Sequence, residues 1–174
     1  PAKNYEIGVA AIQAGADAVY IGAPKFGARQ AAGNSVEEIQ RLVDYARPFG
    51  VKVLVTLNTL LYENERAEAL TIAEQLWSTG IDAIIVQDLW LMQQLIERGY
   101  RVHASTQCDN RDAEQVRKMR DMGCRRVVLA RELGIDEIRA IHEAVPDIEL
   151  EAFIHGALCV SYSGRCYMSE VLMG

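Results

Sequence analysis

The segment Thr79-Gly80-Ile81-Asp82-Ala83-Ile84-Ile85-Val86-Gln87-Asp88 contains the pattern that decides the fold of this chain. An amphipathic stretch, Glu65 to Ser78, precedes Gly80, and glycine is the usual residue just past a helix because it tolerates a left-handed backbone. The run from Ile81 to Val86 is almost continuously apolar, which is typical of parallel strands buried on both faces. The segment therefore predicts a helix, a glycine turn and a buried parallel strand.

The same pattern recurs along the whole chain and predicts the fold class. Strands alternating with helices imply right-handed crossovers and a parallel sheet, and the spacing favours an α/β fold of the (β/α) TIM-type barrel class. The barrel is expected to be incomplete, with about six parallel strands, in one domain spanning residues 1–174 of a longer protein. An open α/β sheet is the alternative, although no Gly-x-Gly-x-x-Gly motif supports dinucleotide binding. The other predicted strands are Asp17 to Ile21, Val51 to Leu57, Tyr100 to Ala104, Arg125 to Ala130 and Ile148 to Ile154, and the other predicted helices are Ser35 to Phe49, Leu89 to Arg98, Asp112 to Met122 and Ile135 to Ala144.

Composition narrows the class of protein. Half of the 174 residues are hydrophobic and 24% are charged, with a formal net charge of -6, which argues against non-specific binding along a nucleic-acid backbone. No apolar run approaches the ~20 residues that a membrane span needs, so we expect no membrane association and a cytoplasmic location. The four cysteines are irregularly spaced and do not predict a disulfide framework.

Polar residues follow the predicted strands at their carboxyl ends, where barrels of this class build their sites. Histidine and carboxylate groups there are candidates for acid–base work, and guanidinium groups are candidates for binding phosphate or carboxylate. The predicted catalytic residues are His103, Gln107, Glu151 and His155, and the predicted substrate-binding residues are Arg29, Asn58, Gln87 and Arg131.

The last predicted strand carries two carboxylates, Glu149 and Glu151, on one face because side chains alternate along a strand. Carboxylates on a buried strand are costly unless they pair with cations or bind a metal. Arg131 or Arg29 is the expected partner. Asn110 is interpreted as the cap of the helix that begins near Asp112.

Two cysteines, Cys159 and Cys166, lie in a loop rich in Gly and Ser that follows this strand. Their spacing differs from the short knuckle of structural zinc sites. Metal or cluster ligation, inert buried thiols and a redox pair all remain open from the spacing alone. Cys108 stands in the loop after His103, and Cys124 is interpreted as a buried packing residue.

A signature across this loop resembles that of the collagenase-like peptidase family of unassigned catalytic type. The stretch Glu151-x-Phe153-x-x-Gly156-Ala157-Leu158-Cys159-x4-Gly164-x-Cys166-x-Met168-Ser169 matches that signature at each defined position. Further similarity covers Ala14 to Tyr20, Val55 to Asn58, His103 to Gln107 and Val128 to Leu133. Within the family the chain is most similar to the branch that makes 5-hydroxycytidine in large-subunit ribosomal RNA.

The resemblance implies a barrel with a four-cysteine [4Fe–4S] cluster and hydroxylation of RNA without molecular oxygen, with prephenate as the implied hydroxyl source. Cys159 and Cys166 match the first two cluster ligands, and the other two are expected beyond Gly174. The implied partner is ribosomal RNA or another RNA, and a homo-oligomer is left open. A metal- or cysteine-dependent collagenase-like peptidase is the first alternative, and a non-catalytic barrel binding a phosphorylated or carboxylate ligand is the second.

Overall fold

The computed structural model describes residues 1–28, 33–156 and 161–164, and the described parts contain six parallel strands with alternating helices. The strand order in the sheet follows the chain order, β1 to β6. This sequential order is that of a (β/α) barrel, because a doubly wound sheet reverses its order at a switch point. The predicted incomplete (β/α) barrel class is confirmed. The strands are β1 (Ala18–Gly22), β2 (Lys52–Leu57), β3 (Ala83–Val86), β4 (Val102–Ala104), β5 (Arg126–Val128) and β6 (Glu149–Glu151), and the helices are α1 (Tyr5–Gln13), α2 (Val36–Ala46), α3 (Arg66–Ser78), α4 (Leu89–Glu97), α5 (Ala113–Met122) and α6 (Ile135–Ala144).

The chain divides into two compact units, Pro1–Val102 and His103–Gly174. In the first unit β1 pairs with β2 from Ala18 opposite Lys52, and β2 pairs with β3 from Leu54 opposite Ala83. All four residues of β3 are buried, as the continuous apolar run predicts. Leu54, Ala83 and Ile85 form a buried cluster against which Tyr20 packs. The single-domain assignment stays a prediction.

Local signals set the helix ends. Five glycines stand just before strands in the repeats of this pattern, as Gly80 does, and all have positive φ, from 68° at Gly50 to 103° at Gly123; they are Gly15, Gly50, Gly80, Gly99 and Gly123. Ser35 begins α2 with a capping box, since its hydroxyl accepts from the backbone N–H of Glu38 and Glu38 accepts from that of Ser35. No described helix has the length and apolarity required to span a bilayer.

The second unit contains most of β4 together with β5, β6, α5 and α6. His103 in β4 lies opposite Arg126 in β5, and Arg126 lies opposite Glu149 in β6. Strand β6 ends at Glu151, three residues before the predicted end at Ile154. Phe153 and Ile154 are 51% and 97% exposed, so these apolar residues do not extend the buried strand. Buried apolar residues of α5, β5 and α6 form the core of this unit, namely Val116, Met119, Val127 and Ile141.

Candidate active site

A row of charged and polar side chains crosses the second unit. His103, Arg126 and Glu149 are register partners on three neighbouring strands, so their side chains share one face of the sheet. Glu151 is two residues further along β6 and points to the same face. The predicted catalytic residue His103 is only 3% exposed and lies within β4, inside the sheet and not in the loop after it.

Arg126 is the centre of this row. Its guanidinium donates from Nε and Nη2 to Glu149 Oε2 at 3.0 and 2.7 Å, and from Nη1 to Glu151 Oε2 at 3.0 Å. The expectation that Arg131 pairs with these carboxylates is wrong: the partner is Arg126, because register places it directly opposite Glu149. Arg29 lies outside the described residues.

The pKa values of the two carboxyl groups of β6 are shifted in opposite directions. The hydrogen bond from Arg126 holds the pKa of Glu149 below its usual value. Burial raises the pKa of Glu151, whose side chain is 20% exposed. One arginine thus holds two neighbouring carboxyl groups with opposite pKa shifts, a pattern common at sites of acid–base chemistry.

The short segment Ser161 to Gly164 is attached to the loops that follow β4 and β5. The backbone N–H of Ser163 donates to Glu132 Oε1 at 2.6 Å, and its hydroxyl donates to Glu132 Oε2 at 3.0 Å. The backbone N–H of Gly164 donates to Gln107 Oε1 at 3.1 Å. We call this set of contacts between Glu132, Gln107 and residues 163–164 the loop clasp.

Arg131 stands beside the loop clasp. Its backbone N–H donates to the Ser163 hydroxyl at 3.3 Å, and its Nη2 donates to the Ser161 carbonyl at 3.4 Å. Its side chain is exposed, as a phosphate-binding residue requires. The structure thus brings two predicted site residues, Gln107 and Arg131, to one segment.

Glu132 is held as a carboxylate. Desolvation alone would raise the pKa of Glu132, but hydrogen bonds from the Ser163 backbone and hydroxyl, together with the charge of Arg111, outweigh it and lower the pKa. An ionised carboxylate is an acceptor at both oxygens and therefore matches the two donors of Ser163.

Asn110 connects the ends of β4 and β5. It is fully buried, and its side-chain Nδ2 donates to the Ser105 and Val128 carbonyls, both at 2.8 Å. The backbone carbonyl of Asn110 accepts from the Ala130 N–H at 3.0 Å. The interpretation of Asn110 as a helix cap is wrong: Asp112 caps α5 by accepting from Gln115 N–H at 2.8 Å.

In the first unit, Asn58 holds the loop after β1. Its Oδ1 accepts from Ala28 N–H at 3.0 Å, and Thr59 donates from its backbone N–H and its hydroxyl to the Phe26 carbonyl at 3.1 and 3.2 Å. Gln87 is half-buried at the end of β3. Substrate binding by Asn58 and Gln87 stays a prediction. In the second unit, His155 is exposed beyond β6, and its catalytic role also stays a prediction.

The two described cysteines are poor metal ligands. Burial raises the pKa of both the Cys108 and the Cys124 thiol to about 12, and Cys124 is 6% exposed, which agrees with its interpretation as a packing residue. Thiolates are the form that binds metals. No group of three or more His, Cys, Asp or Glu residues able to hold a metal occurs among residues 1–28, 33–156 and 161–164. Cys159 and Cys166 lie outside these ranges, and both are thiols, the ligand chemistry that an iron–sulfur cluster takes.

We expect Cys108 and Cys124 to react slowly with thiol reagents. At pH 8 a thiol of pKa about 12 is ionised to about one part in 10,000, against roughly a quarter for an ordinary cysteine. Alkylation of these two residues at pH 8 should therefore be at least about a thousandfold slower than that of an unstructured cysteine peptide. Mass spectrometry of iodoacetamide time courses measures this, and labelling at the peptide rate would contradict the buried-thiol assignment.

Arg126 and Glu132 carry much of this geometry, and neither was selected from the sequence. Arg126 lies in the predicted strand Arg125 to Ala130, and side chains along a strand alternate between its two faces. This alternation could have placed Arg126 on the face of Glu149, but only once the register between the two strands was known. Glu132 follows the predicted strand Arg125 to Ala130, but its partner Ser163 is 31 residues away in the chain, and no local pattern indicates that contact.

The profile described as peptidase family U32 matches residues 3–174. The chain belongs to peptidase family U32. The family resemblance seen in the cysteine-loop signature is thereby confirmed.

Curated relatives are similar over nearly the whole chain. The 23S rRNA 5-hydroxycytidine C2501 synthase of Escherichia coli K12 is 49% identical over 100% of this chain and 26% of the relative. The tRNA hydroxylation protein P1 of Bacillus subtilis 168 is 40% identical over 98% of the chain and 41% of the relative. The collagenase of Porphyromonas gingivalis W83 is 36% identical over 97% of the chain and 44% of the relative. The chain thus spans between a quarter and less than half of the lengths of these relatives.

A solved U32 structure supports the fold. The U32 peptidase Mk0906 superposes with a TM-score of 0.70 at 17% identity, covering 86% of this chain and 64% of the other. At this identity the similarity shows the fold alone.

Proposed function

We propose that this U32 chain is part of an RNA hydroxylase that forms 5-hydroxycytidine in large-subunit ribosomal RNA. The observation that carries the proposal is the 49% identity, over all 174 residues, to a protein named as a 23S rRNA 5-hydroxycytidine synthase. A second relative is named as a tRNA hydroxylation protein, so the shared chemistry would be hydroxylation of RNA bases.

The charged row of the second unit supplies groups suited to such chemistry. Glu151, with its raised pKa, would hold or release a proton at its carboxyl, and Arg126 would orient that carboxyl through the 3.0 Å contact. His103, on the same face, would be a second proton carrier. Arg131 is the exposed guanidinium that would contact an RNA phosphate, and Gln107 would act beside it.

We propose a [4Fe–4S] cluster as the cofactor, with Cys159 and Cys166 as two of its four ligands. The donor set fits in chemistry, since both side chains are thiols, and provides half the number that such a cluster takes. When bound, a cluster of this kind supplies one-electron transfer. The hydroxylation would proceed without molecular oxygen, with prephenate as hydroxyl donor, in the cytoplasm where ribosomal RNA is assembled.

The test is a pair of serine substitutions in the full-length protein. Cys159→Ser and Cys166→Ser should each remove the iron and the visible absorbance of anaerobically purified protein, because serine does not replace a thiolate ligand. Each should also abolish 5-hydroxycytidine in ribosomal RNA from a complemented deletion strain, measured by nucleoside mass spectrometry.

Cys124→Ser is the matched control, because Cys124 is a buried thiol of raised pKa. It should retain iron and the modified nucleoside. Full modification by both loop variants would contradict the proposed cofactor, and unmodified wild-type complementation would contradict the proposed substrate.

A peptidase is the second candidate, favoured by the 36% identity to a protein named collagenase. Gelatin cleavage that is lost in Cys159→Ser or with a chelator would support it. Absence of cleavage under every metal condition would contradict the peptidase and leave RNA hydroxylation as the proposed activity. Unchanged 5-hydroxycytidine in the ribosomal RNA of the deletion strain would instead favour a non-catalytic binding barrel. Sedimentation of the same full-length preparation tests whether a homo-oligomer forms.

A further inference from the structure

The loop clasp holds the four-residue segment Ser161 to Gly164 at its last two residues, Ser163 and Gly164. Ser163 is fully buried and uses its backbone N–H and its hydroxyl on the two oxygens of Glu132. The 2.6 Å backbone contact is as short as a charge-assisted hydrogen bond, and the 3.0 Å hydroxyl contact is at the long end of ordinary O–H···O hydrogen bonds. Gly164 is held separately through Gln107. The segment is therefore attached at two independent points, Gln107 on the loop after β4 and Glu132 on the loop after β5.

The backbone of Gly164 lies closer to Gln107 and Asp109 than a residue with a side chain could lie. Its φ is +75°, and a Cβ there would lie 2.5 Å from the Gln107 carbonyl oxygen and 3.2 Å from Asp109 Cβ. A backbone contact this close requires glycine. The loop clasp thus includes a close backbone contact at Gly164 as well as hydrogen bonds.

The clasp falls between the two cysteines of the family signature. Ser163 is four residues after Cys159 and three before Cys166. An extended chain spans at most about 3.6 Å per residue, so three or four residues reach no further than about 11 to 14 Å from a fixed point. A short chain anchored at its middle restricts where both thiols can go.

Glu132 has the chemistry that this anchor demands. Ser163 presents two donors, and its hydroxyl oxygen already accepts from Arg131 N–H at 3.3 Å. A carboxylate accepts both donors, whereas an amide of the same shape has one acceptor and would turn an N–H group towards one of them. The interaction is therefore specific for Glu over Gln.

We propose that Glu132 is a positioning residue that fastens the segment between Cys159 and Cys166 and so presents both thiols to a soft metal centre. The role rests on the proposed function for the identity of that centre, as an iron–sulfur cluster. Gln107 and Gly164 form the second point of the same anchor. Glu132 does not itself contact the metal or the substrate.

The test compares Glu132→Gln with Glu143→Gln in the full-length protein. Glu143 is an exposed carboxylate of α6, in the same unit, so the control makes the same chemical change away from the clasp. The first readout is the rate of iron loss to a chelator, followed by the visible spectrum. The second is the alkylation rate of Cys159 and Cys166 after iron removal, measured by mass spectrometry with Cys108 and Cys124 as internal references.

Glu132→Gln should accelerate both iron loss and alkylation of Cys159 and Cys166 by about tenfold, the effect of losing one hydrogen bond to a charged group. The Tm should stay close to that of Glu143→Gln, because few other contacts depend on Glu132. Glu132→Asp keeps two acceptors on a shorter side chain and should restore part of the wild-type rates. Ser163→Ala, which removes one donor and keeps the backbone N–H, should show an intermediate effect.

The outcomes separate the two proposals. If wild-type protein holds no iron while Glu132→Gln still changes the alkylation rates of Cys159 and Cys166, the cluster is wrong and the positioning role stands. If wild-type protein holds iron but Glu132→Gln matches Glu143→Gln in both rates, the positioning role is overturned and the cluster stands. Equal acceleration at Cys108 and Cys124 would mean general unfolding and would also overturn it.

Discussion

Asn110→Asp should lower the free energy of unfolding by about 3–4 kcal/mol, the largest stability loss expected from a near-isosteric change in this chain. Asn110 is fully buried, and its amide nitrogen donates to the Ser105 and Val128 carbonyls. Aspartate removes both donors and places a carboxylate against two carbonyl oxygens. The cost appears at neutral pH, where the carboxylate would be charged or would have to take up a proton.

Urea denaturation followed by circular dichroism at pH 7 measures this loss, and Tm should fall by about 10 °C in a protein of this size. Asn64→Asp, at an exposed position in the first unit, is the control and should change stability by less than about 0.5 kcal/mol. Asn110→Ala should cost somewhat less than Asn110→Asp, since it removes the donors without adding a charge. Equal stability of wild type and Asn110→Asp would show that the two carbonyls do not depend on this amide.

Arg126→Ala should produce the second large effect, a loss of about 2 kcal/mol at pH 7. The substitution leaves two carboxylates, Glu149 and Glu151, on one strand without the guanidinium that contacts both. The figure is below the range for fully buried pairs because the Glu149 side chain is half exposed. The reason for the loss is repulsion and desolvation of the carboxylates that remain.

The pH dependence of this loss has a defined sign. The folded-state pKa of Glu149 is depressed, so its pairing stabilises the fold above the ordinary carboxyl pKa, and this contribution is lost as pH falls through the depressed value. The folded-state pKa of Glu151 is raised, so burial of this group favours the fold at low pH and opposes it as pH rises through the raised value. The difference between wild type and Arg126→Ala should therefore be large at pH 7 and shrink below the ordinary carboxyl range.

Thermal denaturation between pH 3 and pH 7 measures the difference, and carboxyl carbon NMR should show Glu149 titrating below its usual pKa and Glu151 above it. Arg125→Ala is the matched control, because that guanidinium is 71% exposed and 3.8 Å from Glu149. Adding Glu151→Gln to Arg126→Ala should recover part of the lost stability. A loss independent of pH, or one equal to that of Arg125→Ala, would contradict the central role of Arg126.

Several parts of the site were predictable from local sequence. Gln107 and Arg131 follow strands β4 and β5, and the carboxyl ends of parallel strands share one edge, so their appearance beside one segment follows from topology. His103 was assigned to the same edge and lies in the predicted strand Tyr100 to Ala104; β4 does end at Ala104, and the His103 side chain is buried in the sheet. Strand β6, in contrast, ends three residues before its predicted end at Ile154. The end of a short strand is set by backbone pairing with its neighbours, which single-sequence patterns report only to within a few residues.

The sequence by itself determined the repeating units, the family and the helix ends. Each depends on contacts within a few residues, as in the Ser35–Glu38 capping box and the left-handed Gly123, or on a signature read directly from the chain. Only the tertiary structure decided which charges pair. Arg126 meets Glu149 across 23 residues, and Ser163 meets Glu132 across 31, so register and loop placement choose these partners from many that the sequence allows. A hydrogen bond acts over about 3 Å, and the chain order of two residues does not state how far apart in space they lie.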